Sequence, residues 1–568
     1  MIQDSYTKMK HPRVIIIAMD QPLDGDAHLT RKMVSAEKRA ARQSRFPGLD
    51  LLAIQKGVHK NILKHLFFLN GQYMDLLDLM NFLKNNRQSP ELTRDNIKQY
   101  YSLADTITHN GIYLYQYLLR EGYDPVVVQN YSLANLDELL QEKPLAVCIS
   151  SNFIFMEDIK RIAAEFKEYE PHLSIIAGGM LIKKVMDEGQ DLSPQALKYL
   201  STFYGKVDAF VVEAQGEQTL VKGLDALRNG DELDKVPNLA LFDTHGKIFF
   251  TSRERESLHL DDTTITWTKI PREYLRKTLP VNTSRGCSYR CRFCTYHWLF
   301  PQVHFKSLDV LREELLQLKE LEFVKHIRFT DDNFTVNRTR LKSILNIMIE
   351  EQLDFTWSAF ARANALTPDL VKLMKRSGCE FVDMGIESGS QIILDNMHKR
   401  LKREQSFDAI RMLNDHGIYC RGSFIIGYPG ETQETFAETI DLINSSGLPY
   451  YQPYLFYYTR NILIHKDKDR FGLEGLGLAW RHDTMDAVEA SDLMSQMIHQ
   501  IDEGFTDGQT YIEEIYKLLR GDGYTSRQIL ELFRLKRELQ LTIPKLDSTS
   551  PFSQETEQIF NQLEAVIK

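Results

Sequence analysis

The first third of the chain alternates short apolar runs with amphipathic stretches. The β-branched run at residues 13–19 is typical of a buried parallel strand. Further apolar runs follow at residues 125–128, 145–150, 174–177 and 208–212. A helical pattern over 156–169 separates two of these runs. The alternation predicts a doubly wound (Rossmann-like) parallel sheet, whose ligand crevice lies at the carboxyl ends of the strands.

A long segment, residues 29–108, interrupts this alternation after the first strand and is mostly helical by pattern. It contains two breaks, at Pro47-Gly48 and Ser89-Pro90. Such a length far exceeds the usual connection between a strand and its helix. We interpret it as a helical insertion in the first domain, either a lid over the crevice or a structural extension.

Strand and helix patterns resume at Val281, after a predicted hairpin near 243–246 and a polar stretch. The chain leaves a strand at 282–286, and apolar runs follow at 326–330, 355–362, 381–386 and 423–427, with helical patterns after them. An α/β unit of about six strands predicts a full or partial parallel barrel. Beyond residue 483 the periodicity is helical only. The predicted domains are a first α/β domain (1–235), a linker (236–280), a partial barrel (281–482) and a helical C-terminal region (483–568).

Composition agrees with a globular protein of about three or four domains. The 568 residues carry 69 Lys+Arg against 78 Asp+Glu, a formal charge of −9. This mild acidity argues against general nucleic-acid binding, which requires a strongly positive surface. No apolar run approaches the roughly 18 residues of a membrane span, and the first dozen residues lack a signal-peptide pattern. We therefore expect a cytoplasmic protein with neither a membrane nor a nucleic-acid partner.

The spacing of the cysteines carries the first chemical signal. Three of the six, Cys148, Cys379 and Cys420, stand alone in apolar segments, as small buried side chains do. The others form a CxxxCxxC triplet just past a predicted strand: Cys287, Cys291 and Cys294. Thiolates are ligands for iron–sulfur clusters and for zinc. Zinc usually takes four ligands, and His297 is the candidate for the fourth, so zinc stays the alternative.

This triplet at the end of a barrel strand resembles the signature of the radical S-adenosylmethionine (SAM) enzymes. The resemblance implies that the three cysteines hold a [4Fe-4S] cluster whose open iron binds the amino and carboxylate groups of SAM. It further implies reductive cleavage of SAM to methionine and a 5′-deoxyadenosyl radical. In that family Phe293 would pack near the adenine, and Tyr296 would lie where backbone contacts to adenine are made.

Later segments resemble the motifs of the same family in the same order, over about residues 281–455. Asp331 and Asp332, after the second barrel strand, are the candidates to hold the SAM ammonium. A carboxylate that holds a cation at the carboxyl end of a strand is also reasonable on physical grounds. Arg362, after the third strand, is the candidate partner of the SAM carboxylate.

Two more segments complete the predicted SAM site. Glu387 and Ser388, after the fourth strand, would contact the ribose or the methionine portion. Gly427, after the fifth, would permit close approach to adenine. Any one of these segments alone is equally compatible with ordinary barrel packing, and it is their order that favours the functional interpretation.

The first domain resembles the cobalamin-binding class of radical SAM enzymes through Ser174–Gly179 and the segment 208–217. The candidate contacts, all at predicted strand ends, are Ser150, Ser151, Gly178, Gly179, Gly216 and Glu217. The glycine pair would let the backbone approach the nucleotide tail of cobalamin. Tight turns in a plain α/β domain are the alternative.

Gly25-Asp-Ala-His28 resembles the start of the DxHxxG motif, whose histidine ligates cobalt. Arg31 stands where that motif has its glycine. We therefore favour a solvated loop histidine at position 28. Many members of the class lack the histidine ligand, so its absence is compatible with cobalamin.

Two segments, an aromatic run at 450–458 and residues 479–485, lie after the barrel. We favour a packed junction to the helical region. The alternative places His482 at the substrate mouth as a polar contact.

Together these resemblances imply a cobalamin-dependent radical SAM methyltransferase that methylates an unactivated centre of a small, natural-product-like molecule. Methylcobalamin would give the methyl group, and an external donor such as flavodoxin or ferredoxin would supply electrons. One alternative is a cyclisation or rearrangement without methyl transfer; another is a non-enzymatic redox sensor or scaffold. A methylthiotransferase is disfavoured, because the chain has no second cysteine triplet.

Overall fold

The computed structural model describes residues 11–20, 67–69, 72–85, 87, 101–102, 106, 108–187, 194–256, 259–506, 512–542 and 552–567. The strands are β1 (Arg13–Ile17), β2 (Phe67–Leu69), β3 (Gln72–Met74), β4 (Asp124–Val128), β5 (Ala146–Ser150), β6 (Ser174–Gly178), β7 (Ala209–Val211), β8 (Leu239–Phe242), β9 (Ile248–Phe250), β10 (Thr278–Val281), β11 (Ser284–Arg285), β12 (His304–Phe305), β13 (His326–Phe329), β14 (Thr356–Ala361), β15 (Cys379–Glu387), β16 (Tyr419–Ile426), β17 (Tyr450–Leu455), β18 (Glu474–Leu476), β19 (Ala479–His482) and β20 (Met485–Asp486). The α-helices are α1 (Leu76–Lys84), α2 (His109–Arg120), α3 (Leu136–Leu140), α4 (Met156–Tyr169), α5 (Met180–Asp187), α6 (Pro194–Leu200), α7 (Glu217–Asn229), α8 (Tyr296–Leu299), α9 (Leu308–Glu320), α10 (Arg338–Glu350), α11 (Pro368–Arg376), α12 (Gln391–Asn396), α13 (Arg403–Asp415), α14 (Gln433–Ser446), α15 (Ala487–Gln500), α16 (Ile512–Gly521), α17 (Ser526–Thr542) and α18 (Gln554–Val566).

The chain divides into two compact units: residues 1–21 with 107–275, and residues 22–106 with 276–568. Among the described helices, none combines the length and the apolar character that crossing a bilayer demands.

One seven-stranded sheet, in the order β4-β1-β5-β6-β7-β8-β9, forms the first unit. The first five strands run parallel, and β8 and β9 are antiparallel. Helices α2 and α7 cover one face and α3, α4 and α5 the other, so the parallel strands are apolar on both sides. The predicted doubly wound sheet is confirmed. Residues 239–250, within the predicted linker, add the two antiparallel strands, while the proposed domain boundaries stay predictions.

Six parallel strands, in the order β10-β13-β14-β15-β16-β17, form the main sheet of the second unit. Helices follow the strands along the chain and bury apolar faces, such as Leu341, Ile344 and Leu345 of α10. The predicted partial parallel barrel is confirmed, as is the helical C-terminal region. Every strand of this sheet directs its carboxyl end to one edge, where active sites of such barrels lie.

The C-terminal helices share a hydrophobic cluster with α1 and with the first residues of β15 and β17. The ring of Phe381 lies 4.4 Å from that of Tyr516 in α16, and Phe82 of α1 lies 6.4 Å from Phe560 of α18. The described part of segment 29–108 thus packs within the second unit. Most of that segment lies outside the described residues, so the lid interpretation stays a prediction.

A buried ion network fixes α16 to the sheet. Arg328 lies 2.9 Å from Asp383 and 2.7 Å from Glu513, and Arg421 lies 2.6 Å from Asp383 and 3.4 Å from Glu513. Burial opposes ionisation of Glu513, but the cations Arg328, Lys517 and Arg421 outweigh it and lower its pKa to about 2. Two strand arginines thus share two carboxylates, one of them from the C-terminal helix.

We expect Asp383→Asn to destabilise the chain, because it leaves Arg328 and Arg421 without their shared strand carboxylate in a buried site. The expected loss is about 3–5 kcal/mol in urea unfolding. Glu474→Gln, which breaks an exposed pair with Arg481, is the control and is expected to cost less than about 1 kcal/mol. Equal losses in the two variants would contradict a structural role for the network.

Candidate functional site

Three cysteines lie together on one loop at the carboxyl edge of the six-stranded sheet. The loop joins β11 to α8, and β10 ends just before it. Cys291 is buried, Cys287 and Cys294 are partly buried, and all three are free thiols. The Cys294 N–H donates to the Cys291 carbonyl at 3.1 Å, and the Tyr296 N–H lies 3.4 Å from the Cys294 sulfur. Backbone N–H and carbonyl groups of the loop therefore lie close to the cysteines.

The charges around the thiols favour metal binding. Burial raises the pKa of Cys287, and Arg362 opposes this; burial also raises the pKa of Cys294 to about 11, and Lys399 opposes it. Cations beside a cysteine stabilise the thiolate, which is the metal ligand. In the part of the chain that the structure describes, no group of three or more His, Cys, Asp or Glu side chains is arranged for a single metal ion. In a four-iron cluster each thiolate binds its own iron, and this loop supplies three thiols.

Asp331 anchors the start of the cysteine loop from within the protein. Its carboxylate accepts hydrogen bonds from the Thr283 N–H at 3.1 Å, from the Thr283 hydroxyl at 2.8 Å and from the Ser284 hydroxyl. It is fully buried, and burial raises its pKa. Its hydrogen-bonding capacity is therefore largely used to join β13 to the segment after β10.

Asp332 lies closer to the cysteines. It accepts a hydrogen bond from the Gly286 N–H at 2.7 Å, directly before Cys287, and another from the Tyr296 side chain. Burial raises its pKa to about 6. Of the two predicted ammonium-binding residues, Asp332 is the one with a partly exposed carboxylate.

Arg362 reaches the same loop from the end of β14. Its guanidinium stacks at 3.6 Å on the Tyr289 ring, and its Nη1 lies 3.7 Å from the Cys291 sulfur. Its Nη2 donates to the Lys399 carbonyl, whereas its Nε is buried without a hydrogen-bond partner. A buried, partnerless N–H beside the cysteines is what a carboxylate of a bound ligand would satisfy.

The side chain of Lys399 is one that sequence reasoning missed. Its ammonium lies 2.6 Å from the carboxylate of Glu387 and 5.5 Å from the centre of the Phe293 ring, and both charged groups are buried. Glu387, predicted to contact SAM, is thus committed to an ion pair. A lysine in a turn after a short helix gives no periodic signal, so only the fold brings it to the loop.

The hydroxyl of Ser388 forms a hydrogen bond within the loop in which it lies. It accepts a hydrogen bond from the Ser390 N–H at 3.1 Å and lies 3.3 Å from the Thr439 hydroxyl, fully buried. Contact between Ser388 and SAM stays a prediction.

Gly427 contacts an indole ring. It has a φ of +82°, and a Cβ there would lie 2.3 Å from the ring of Trp480. His482 stacks on Trp480 and lies 3.3 Å from the Gly427 carbonyl. Burial lowers the pKa of His482 to about 4. Residues 479–485 therefore form the packed junction favoured from sequence, and an adenine contact at Gly427 stays a prediction.

In the first unit, the candidate cobalamin residues join neighbouring strand ends. The Ser151 hydroxyl accepts a hydrogen bond from the Ile182 N–H at 3.2 Å, and a Cβ on Gly179 would lie 2.9 Å from that hydroxyl. The Ser151 N–H also donates to the Gly178 carbonyl at 2.7 Å. These residues form a tight, glycine-dependent edge where β5 and β6 end.

Gly216 and Glu217 lie at the N-terminus of helix α7. Glu256, which sequence reasoning missed, binds the backbone at this end of the helix. Gly216 has a φ of +58°, and Glu217 is buried. The carboxylate of Glu256 accepts hydrogen bonds from the Gln218 and Thr219 N–H groups at 3.0 and 2.7 Å. An anion of the protein itself thus satisfies the end of this helix.

Unsatisfied polar atoms mark the same edge of the sheet near β1 and β4. The amide of Gln129, the hydroxyl of Thr108 and the amide oxygen of Asn110 are buried without hydrogen-bond partners. The Asn110 amide nitrogen donates to the Ser150 hydroxyl at 2.7 Å. Buried amides and hydroxyls require partners, and an amide-rich cofactor such as cobalamin would offer them. His28 lies outside the described residues.

Residues 281–443 match the family described as the radical SAM superfamily. An uncharacterized methyltransferase of Pyrococcus horikoshii, PH0819, is 34% identical over 43% of this chain and 54% of its own length. The anaerobic magnesium-protoporphyrin IX monomethyl ester cyclase of Rubrivivax gelatinosus is 26% identical over 58% of this chain and 60% of its own length. The chain thus spans between half and two thirds of these relatives.

The fold is similar to that of a solved enzyme, the radical SAM methyltransferase TsrM from Kitasatospora setae. Its structure with tryptophan and a SAM analogue covers 78% of this chain and 97% of the enzyme, with a TM-score of 0.59 and 14% identity. A second structure of TsrM contains cobalamin and a [4Fe-4S] cluster, with a TM-score of 0.53. At this identity the likeness concerns the fold.

We expect Glu431→Gln to change how stability depends on pH. Glu431 is buried, its carboxylate accepts a hydrogen bond from the Gly427 N–H, and burial raises its pKa to about 8. Between pH 4.5 and about 8 the unfolded chain releases this proton and the folded chain keeps it, so the wild type loses stability as pH rises. The variant should gain on the wild type by up to about 1.4 kcal/mol per pH unit in urea unfolding.

The control for this comparison is Glu434→Gln, on the exposed first turn of α14. It should leave the slope between pH 5 and 8 unchanged. A parallel pH dependence of wild type and Glu431→Gln would show that Glu431 is ionised in the folded protein and contradict the assignment.

Proposed function

Because residues 281–443 form a radical SAM domain in a chain with the fold of TsrM, we propose that this protein is a cobalamin-dependent radical SAM methyltransferase. The radical SAM family implies SAM and a [4Fe-4S] cluster as cofactors. The observation that carries the proposal is the set of three free thiols at the carboxyl edge of the barrel, flanked by the cations Arg362 and Lys399.

In this proposal the chain's own residues bind and orient. Cys287, Cys291 and Cys294 hold the cluster, and the free Nε of Arg362 pairs with the SAM carboxylate. Asp332, which is partly exposed, holds the ammonium. When bound, the cluster supplies one electron for SAM cleavage, and cobalamin supplies a transferable methyl group.

The first unit would hold cobalamin at the edge where β1, β4, β5 and β6 end. At this edge Gly179 lies so close to the Ser151 hydroxyl that a Cβ would overlap it, and Asn110 donates a hydrogen bond to the neighbouring Ser150 hydroxyl. The partnerless amide of Gln129 supports a polar ligand there. Open α/β sheets bind ligands at this edge, which fits the proposal.

The proposed substrate is a small molecule with an unactivated centre, and the proposed electron donor is a flavodoxin or ferredoxin. We also propose a cytoplasmic location. It is supported by the six free cysteines, which suit a reducing compartment.

A cyclisation or rearrangement without methyl transfer is the second candidate. It is favoured by one observation, the 26% identity to a cyclase over 58% of this chain. The radical step would be the same in both candidates, and only the fate of the SAM methyl group differs.

We expect the reconstituted, reduced chain to form 5′-deoxyadenosine from SAM and to move the deuterated methyl group of a second SAM to cobalamin. Mass spectrometry of both products measures the two outcomes without a known substrate. Cleavage without label on cobalamin would favour the cyclisation or rearrangement. Failure of the chain to cleave SAM would contradict the radical SAM activity and favour the redox sensor or scaffold.

Cys291→Ala should abolish iron binding and SAM cleavage, because it removes one of the three proposed cluster ligands. The matched control is Cys420→Ala, a buried free thiol in β16 away from the loop. It should keep both properties. SAM cleavage by Cys291→Ala at the wild-type rate would contradict the assignment of the cysteine loop.

A further inference from the structure

A strained turn, residues 397–400, presents Lys399 to the cysteine loop. His398 and Arg400 on either side of it both have a φ of +52°. Residues other than glycine adopt this conformation at an energetic cost, and they persist where their surroundings fix them. Two such residues in one turn indicate that the position of Lys399 is imposed by the rest of the fold.

One hydrogen bond attaches this turn to the cysteine loop, and a second attaches it to Arg362, which lies beside the loop. The Arg292 N–H, between the second and third cysteines, donates to the Met397 carbonyl at 2.8 Å. The guanidinium of Arg362, 3.7 Å from the Cys291 sulfur, donates to the Lys399 carbonyl. The backbone of the turn is therefore fixed to the loop independently of the lysine side chain.

The side chain of Lys399 forms a buried ion pair with Glu387, at 2.6 Å. Glu387 itself has a φ of +72°, again a strained value for a residue with a Cβ. A Cβ on Gly385 would lie 2.5 Å from the Glu387 carboxylate and 3.0 Å from the Lys399 ammonium, so the pair needs glycine there. Burying an ion pair seldom adds stability, which leaves the purpose of this arrangement to be explained.

The ion pair lies beside the cysteines. The Lys399 ammonium is 5.5 Å from the centre of the Phe293 ring, and Phe293 precedes Cys294. Charges in a buried setting are screened little by solvent, so the ion pair acts on any charge that develops at the thiolates.

We propose that Lys399 and Glu387 form an electrostatic couple that sets the reduction potential of the cluster held by the three cysteines. The inference rests on the proposed function for the cluster only. On reduction the cluster gains one electron from an external reductant, and neither a bond nor a proton is exchanged. The added negative charge is stabilised by Lys399 and opposed by Glu387.

The test uses the full chain, reconstituted with iron and sulfide under anaerobic conditions and without SAM. The cluster is titrated with dithionite while electron paramagnetic resonance follows its reduced form. Lys399→Met should lower the potential and Glu387→Gln should raise it. Each change should alter the ratio of reduced to oxidised cluster at a fixed potential by about tenfold, which is about 59 mV for a one-electron couple.

The double variant Lys399→Met/Glu387→Gln should return close to the wild-type potential, because it removes both charges. Lys399→Arg keeps the charge and should retain that potential. Lys402→Met, at an exposed position three residues further on, is the control and should not shift it. If Lys399→Met fails to bind a cluster, Glu387→Gln and Lys399→Arg still decide the question.

Unchanged potentials in both single variants, or shifts of the same sign, would overturn the proposal. A change in SAM affinity without a change in potential would also overturn it and make Lys399 a SAM ligand. Failure of the wild-type chain to take up a cluster is a different outcome, because it contradicts the proposed function itself.

Discussion

The site in the second unit depends on two carboxylates that form hydrogen bonds to the residues just before the first cysteine. Asp331 binds residues 283 and 284, and Asp332 binds the N–H of Gly286 directly before the first cysteine. Together with the hydrogen bond from the Arg292 N–H to the Met397 carbonyl, these bonds fix the backbone that carries the sulfurs. The second barrel strand, which ends just before both aspartates, thus orders the loop that follows the first.

The alternation of apolar and amphipathic segments predicts the parallel strands of both sheets except β17, which lies in the aromatic run 450–458 that the sequence analysis placed after the barrel. Buried parallel strands are apolar on both faces and read as short continuous runs, and such runs mark β1, β5 and β6 in the sequence. The packing of segment 29–108 could not be predicted in this way. The part of it that the structure describes packs with helices more than four hundred residues later, as the contact of Phe82 with Phe560 illustrates. Local periodicity carries no information on so distant a partner.

The candidate site likewise combines residues that a local motif predicts with residues that only the tertiary fold brings together. The cysteine triplet is a local motif, and its resemblance to the radical SAM signature is what predicted the chemistry. Lys399 follows Cys294 by more than a hundred residues and reaches the loop only through a strained turn. Glu387 and Gly427 stay candidates for SAM contacts, and the structure adds that Glu387 binds Lys399 and that Gly427 packs on Trp480. A motif shows which residues matter, whereas their partners follow from the tertiary fold.

Strain and buried charge recur around the cysteines. Proteins keep such unfavourable arrangements where a function requires them. Here they would hold two cations and a carboxylate at fixed distances from a redox centre, so that the protein sets the charge around it.

The most direct measurement is a cobalt and iron count, with an ultraviolet–visible spectrum, on the full chain purified without oxygen from cells supplied with cobalamin. The account predicts one cobalt and about four irons per chain, together with the absorption of both cofactors. Iron without cobalt would contradict methyl transfer through cobalamin and leave the first unit without its proposed ligand. The absence of iron would contradict the account of the cysteine loop.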